Sequence, residues 1–188
     1  MKKIIFTLFI ASFSFANAQV ILGDAVGTAT NKTSVLLDFA ANQNKGIIVP
    51  YVRTLPTGNA LVGGAIILDA TTATAARMKF YNETAWVDLS GQNADVTTAL
   101  AKQPTGITED ASARAIIGTV PDPIPVSFPE GALVLNSTTK AMVLPTVADV
   151  QNIPSPSPGM MVYVSGVSPT FNKRLAVFNG SKWSFWKP

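Results

Sequence analysis

The chain has 188 residues, with 14 Lys and Arg against 11 Asp and Glu, no histidine and no cysteine. Those absences exclude Ser-His-Asp and Cys-His nucleophile systems, the usual zinc ligands and disulfides. The net charge of +3 owes two units to Lys2 and Lys3, and the longest basic run beyond them is the pair Lys173-Arg174, so no clustered nucleic-acid-binding face is present.

The N-terminus carries a basic pair, an apolar stretch from Ile4 to Phe15, and the small-x-small site Ala16-Asn17-Ala18 before Gln19. This pattern predicts a secretory signal peptide over 1–18, cut between Ala18 and Gln19. The apolar stretch falls short of the roughly 20 residues a spanning helix needs, so no membrane span is expected after removal of the signal. The expected destination is the periplasm, the outer-membrane surface or the extracellular space. A lipid anchor would need a Cys after the signal.

Four apolar blocks then read as strands in chain order: "SVLLD" (34–38), "KGIIVP" (45–50), "GAIIL" (64–68) and "MKFYNETAW" (78–86). Pro50 ends the second block, where a missing donor does no harm to a ladder. Residues 92–130 differ in character. "DVTTALAKQP" can open a short helix at Asp95. "TEDASARAIIG" reads as the better helix, with Thr108 as N-cap, Glu109-Asp110 in the first turn and Gly118 at the C-terminus. "PDPIPVSFPE" follows as a stiff, extended spacer.

The four blocks then return as "ALVLN" (132–136), "KAMVLP" (140–145), "GMMVY" (159–163) and "LAVFNGSKW" (175–183). The spacing is 98 at Asp38/Asn136, 95 from Lys45/Lys140 through Gly64/Gly159, and 97 at Trp86/Trp183. Such small changes are what loop insertions produce. Thr146 to Asp149 is expected to open a helical turn, ahead of the Pro/Ser loop "NIPSPSPG" (152–159). The expected fold is mainly β: two tandem β-rich repeats, 19–91 and 131–188, joined by a short helical, Pro-rich linker over 92–130.

The last block of each copy predicts a hairpin, with Asn82 and Trp86 in the first and Asn179-Gly180 and Trp183 in the second. A three-residue loop puts Leu175, Val177, Trp183 and Phe185 on one face, and Met78, Phe80 and Trp86 on one face of the first copy. Both Trp side chains then serve the core. Trp186 lies on the opposite parity and is a candidate interface residue. With Tyr51 and Tyr163 it forms the set of candidate partner-binding aromatics. The sequons at Asn31, Asn82, Asn136 and Asn179 read as turn chemistry before glycan acceptors.

No catalytic, cofactor or metal site emerges. The acids are scattered, "LVGGAI" (61–66) lacks the Lys and spacing of a phosphate loop, and Asp24, Asp38, Asp69 and Asp88 form no calcium-loop pattern.

"AVGTATNKTSVLLD" (25–38), "KGIIVP", "SPSPGMMVY" and the two Trp hairpins together resemble the repeat unit of exported Bacteroidota surface proteins, adhesin-like and tail-fibre-like. The resemblance covers most of 25–91 and 131–186. It departs at Asn31, at Tyr51-Val52-Arg53 after Pro50, in copy two, which lacks the Gly-Thr lead-in, and in copy one, which lacks the Pro/Ser loop. It implies an oligomeric surface or fibre-like building unit without known chemistry. The expected function is therefore an exported, non-catalytic structural or adhesive protein that associates with itself or with other surface proteins. The alternatives are a carbohydrate- or peptide-binding module and an accessory subunit of an envelope or secretion complex.

Overall fold

In the computed structural model the described residues are 19–104, 106, 108, 110, 112–169 and 172–186. The predicted signal peptide, Ala18 included, lies outside them, as does Glu109.

Each apolar block forms a strand. In copy one these are β1 (Val20–Leu22), β2 (Val35–Phe39), β3 (Ile47–Ile48), β4 (Tyr51–Val52), β5 (Ile66–Asp69), β6 (Arg77–Tyr81) and β7 (Trp86–Asp88). A helical turn, α1 (Thr97–Leu100), follows. Copy two contributes β8 (Ala115–Gly118), β9 (Leu133–Asn136), β10 (Ala141–Met142), β11 (Thr146–Val147), β12 (Met160–Val164), β13 (Arg174–Phe178) and β14 (Trp183–Trp186).

The two copies repeat the same topology. In the first, β4 runs parallel to β5, and β5, β6 and β7 form an antiparallel meander. In the second, β11 runs parallel to β12, and β12, β13 and β14 form the same meander. Single hydrogen bonds repeat as well. Leu68 N–H donates to the Pro50 carbonyl and Tyr163 N–H to the Pro145 carbonyl, both at 2.9 Å. Gly64 N–H donates to Tyr81 and Gly159 N–H to Phe178, both at 2.8 Å. Each Pro ends its block without a donor, yet its carbonyl starts the next parallel ladder.

The helix expected from Thr108 to Gly118 is not formed, because Ala115–Gly118 is a strand, parallel to β9. It plays for copy two the part that β1, parallel to β2, plays for copy one. Gly118 belongs there for a strand's reason: its φ is +113°, and a Cβ would lie 2.1 Å from the Asn136 carbonyl oxygen. The helical turn from Asp95 does form as α1, where the Asp95 carboxylate accepts from Thr97 N–H at 2.9 Å. The turn expected from Thr146 comes later. Thr146–Val147 is strand, and a 3-10 turn covers Val150–Asn152, held by the Asp149 carboxylate.

The copies are laced together rather than set side by side. β3 of copy one pairs antiparallel with β12 of copy two, Ile48 opposite Met160 and Ile47 opposite Met161. β10 of copy two pairs parallel with β2 of copy one. One hydrophobic cluster accordingly draws Leu68, Met78, Val96 and Leu100 from the first half and Met161 and Val177 from copy two. A second, on the other face of β12 and β13, holds Val147, Ile153, Met160, Val162, Val164 and Ala176, with Phe178 and Trp183 against it. Leu68 and Met78 have no exposed surface, and burying a side chain of that size is worth about 1.5–3 kcal/mol each.

The hairpins turn on two residues, not three. Asn179 N–H pairs with the Lys182 carbonyl and Asn82 N–H with the Ala85 carbonyl, leaving Gly180-Ser181 and Glu83-Thr84 at the tips. The expected face is thereby corrected by one residue: Trp183 stands opposite Phe178 and Trp86 opposite Tyr81, with ring centroids 5.2 and 5.4 Å apart. Leu175 and Val177 share the other face with Ser184 and Trp186.

Candidate functional site

The joint between the copies combines backbone pairing, a close approach at one glycine and a few side-chain hydrogen bonds. Gly46 brings β3 against β12 so closely that a Cβ would lie 2.4 Å from Met160 Cγ and 2.8 Å from the Met161 carbonyl oxygen. Val49 N–H then donates to the Gly159 carbonyl at 3.0 Å. Three side chains fasten the joint: Tyr51 Oη donates to the Pro158 carbonyl at 2.7 Å, Asn179 Nδ2 to Gln92 at 2.8 Å and Ser184 Oγ to Ser90 at 2.5 Å.

Of the candidate aromatics, Tyr51 does not belong to an open surface. It is half-buried in the shared cluster, and burial pushes its phenol pKa up. Tyr163 and Trp186 come together with Leu175 instead. Tyr163 stands opposite Leu175 across β12/β13, and Leu175 opposite Trp186 across β13/β14, so the three form one row on one face. The row is open at its two ends, with Tyr163 37% and Trp186 59% exposed, while Leu175 between them packs against the shared cluster. The equivalent row in copy one is Leu68, Met78 and Leu89, closed over by Ala94, Val96 and Leu100.

Copy one has an opening of its own. In copy two, Met161 and Val177 face the other copy, and their equivalents are Ile66 and Phe80. Both are only partly buried, and among the described residues no strand pairs with the Ala65–Ile66 edge, the place β3 takes on β12. Among the described residues β9 pairs only with β8, so the edge that β2 offers to β10 is vacant in copy two. Sequence inspection found Trp186 and Tyr163 but missed Ile66, Phe80 and the two strand edges. Applying the repeat to pairs of strands, rather than single blocks, was the signal that would have found them.

The repeated asparagines serve their turns. Asn179 Oδ1 accepts from Ser181 and Lys182 N–H, both at 3.0 Å, and Asn82 Oδ1 accepts from Thr84 and Ala85 N–H at 3.1 and 2.8 Å. Asn179 is 0% exposed, which leaves no room for a glycan there.

Asp38, also 0% exposed, anchors the lead-in loop of copy one. Its carboxylate meets Lys32 Nζ at 2.6 Å and accepts from Ala29, Thr28 and its neighbour Phe39. Burial by itself would raise its pKa. The Lys32 ammonium and the backbone N–H groups outweigh that and hold it below the ordinary value. Gly27 (φ +70°) passes so close that a Cβ would lie 2.4 Å from Asp38 Oδ2, which explains the Gly-Thr in the lead-in. Asp38 is thereby a structural anchor. Among the described residues no group of three or more acids, His or Cys is placed to hold a metal ion.

Residues 117–187 match the family model of a phage tail like trimerisation region. The match takes in copy two from within β8 through β14, and therefore includes the open Tyr163–Leu175–Trp186 row and the free edge of β9. No curated protein and no solved structure matches the chain significantly. Among the described residues no helix is long and apolar enough to cross a membrane.

Proposed function

We propose that this chain is an exported, non-catalytic building unit of a trimeric, fibre-like surface structure. The observation that carries the reading is the trimerisation-region match over the second copy. The geometry supports it: among the described residues a sheet edge is unpaired at each end of the pair, and copy two also exposes Tyr163 and Trp186. Export rests on the N-terminal pattern ending at Ala18-Gln19, and display at the cell surface on the sequence resemblance.

Expression of the full precursor in a bacterial host tests both halves. The recovered protein should begin at Gln19, and brief amine cross-linking should give a trimer band on a denaturing gel. Recovery with Met1 intact would remove the export claim, and a monomer band alone would remove the assembly claim.

The exposed Tyr163 and Trp186 also favour a second reading, a carbohydrate- or peptide-binding module, since aromatic side chains offer stacking surfaces with a polar tip. Trp186→Ala separates the two. Loss of glycan or peptide binding with assembly intact supports the second reading, and loss of assembly supports the first.

A further inference from the structure

We propose that chains join head to tail by repeating between chains the same two-strand exchange that joins the two copies within one chain. The occupant of the open copy-two end is the copy-one end of a second copy of this chain. This inference rests on the self-association reading above and adds the surface, the register and the polarity of the contact.

The internal joint has three parts, and each has a vacant equivalent at both ends. The first is the strand between Lys45 or Lys140 and its Pro. In copy two, Ala141 and Val143 N–H donate to Ser34 and Leu37 carbonyls of copy one, both at 2.8 Å, so the intervening Met142 and Leu144 groups point away from copy one. In copy one the order is reversed: Val49 N–H, in phase with Ile47, donates to copy two, and Ile48 points away. The same strand therefore has one edge for the preceding copy and one for the following copy. Among the described residues copy one has no preceding partner and copy two no following one.

The second part is the acceptor edges. The open Ala65–Ile66 edge of copy one is the equivalent of Met160–Met161 and fits Met142–Val143 of another chain. On β9, Asn136 accepts from Thr119 on the β8 side, so alternation turns the Leu135 carbonyl to the free edge. Leu135 is the equivalent of Leu37, the acceptor for Val143, and fits Ile48 N–H of another chain.

The third part is the apolar face. Within the chain, Leu68 and Met78 share a cluster with Met161 and Val177. Leu175 and Ile66, both partly buried, pack against the margin of that cluster, and the side chains left outside it are Tyr163 and Trp186 on copy two and Phe80 on copy one. The side chains at the strand exchange also change together. Gly46 faces the bulky Met160 within the chain, whereas Ala141 would face the small Ala65, which removes the nearest of the contacts that require glycine at position 46.

A contact between two different ends is heterologous, and it closes into a ring or runs on as a filament according to its rotation. The trimerisation-region match points to closure after three chains. Backbone pairing along an exposed edge supplies affinity, and the row of side chains beside it sets the register.

Engineered cysteines test the register in a chain that has none of its own. Ile48 and Met160 are a non-hydrogen-bonded antiparallel pair, whose Cα atoms lie about 4.5 Å apart, within disulfide range. Their equivalents are Val143 and Ala65. The double variant Ala65→Cys/Val143→Cys, oxidised mildly, should form an interchain disulfide and run as a covalent trimer on a non-reducing denaturing gel. Ile48→Cys/Met160→Cys is the control and should close within one chain. Ile47→Cys/Leu135→Cys probes the second strand exchange independently and should also cross-link between chains. Light scattering on both oxidised interchain variants separates the failures. Trimers without interchain disulfides would overturn this contact and leave self-association standing, whereas monomers would overturn both.

Discussion

Leu68 and Tyr163 hold the same place in the two copies of the sheet, yet Leu68 has no exposed surface and Tyr163 is 37% exposed. Each lies in a row across three strands, Leu68–Met78–Leu89 in one copy and Tyr163–Leu175–Trp186 in the other. The first row is a core. The second has the composition of an interface, with two aromatic residues carrying polar tips around one aliphatic residue. Trp186→Ala should weaken assembly at least tenfold, the scale of a buried aromatic anchor in an interface (above about 1.4 kcal/mol). Its effect on the melting temperature of the dissociated chain should be small, because the side chain is 59% exposed there. Sedimentation equilibrium with thermal melting reads both. Unchanged assembly would remove Trp186 from the interface.

Gly46 is where the copies approach most closely, and Gly46→Ala should cost about 1–3 kcal/mol of unfolding free energy through overpacking. The double variant Gly46→Ala/Met160→Ala relieves the contact with Met160 Cγ and should be less destabilised than the two single changes summed. A urea melt of the four chains gives the coupling directly. Strict additivity would mean that the two residues do not press on each other.

The two hairpin asparagines make the same turn but different long-range contacts. Asn82→Ala should cost about 1 kcal/mol, the value of a local side-chain cap. Asn179→Ala should cost more, about 1–3 kcal/mol, since it also removes the 2.8 Å bond to the part-buried Gln92 carbonyl and leaves that group only the longer contact from Ser90 Oγ. Equal melting temperatures for the two variants would deny Asn179 its role between the copies.

Asp38 gives stability a pH dependence of known sign. Its folded pKa lies below the ordinary value of 3.8, so its contribution is fully present above that value and is lost as the pH falls through the folded pKa. Asp69, beside Lys79, is shifted the same way, with burial opposing and the hydrogen bond from Lys79 prevailing. Asp38→Asn should lower stability at pH 7 by about 1–3 kcal/mol and flatten the loss below about pH 4. Denaturant melts from pH 7 to pH 2.5 check this. An unchanged slope would assign the acid sensitivity elsewhere.

Much of this was legible in the residues. The blocks "KGIIVP" and "KAMVLP" and the two Trp hairpins gave the repeat and the strand class, because a half-buried strand needs a short apolar run between turn residues. β8 was less legible. "AIIG" (115–118) repeats "VILG" (20–23), but Thr108 and Gly118 looked like the two ends of a helix, and local signals of that kind yield to pairing with β9. The face of the Trp hairpins is not legible in the residues alone, because Asn179 takes part in the ladder while its side chain shapes the bend. The exchange of β3 and β10 between copies could not be read from blocks alone, since it depends on which edge each backbone turns outward. The open row depends on the equivalence of Leu68 and Tyr163, which their matching bonds to Pro50 and Pro145 define.

The most direct test of the central claim is the absolute mass of the protein beginning at Gln19, by light scattering on a sizing column over a dilution series. A species of three chains that persists on dilution is the predicted result. A monomer at every concentration would contradict both the trimeric building unit and the contact between its open ends.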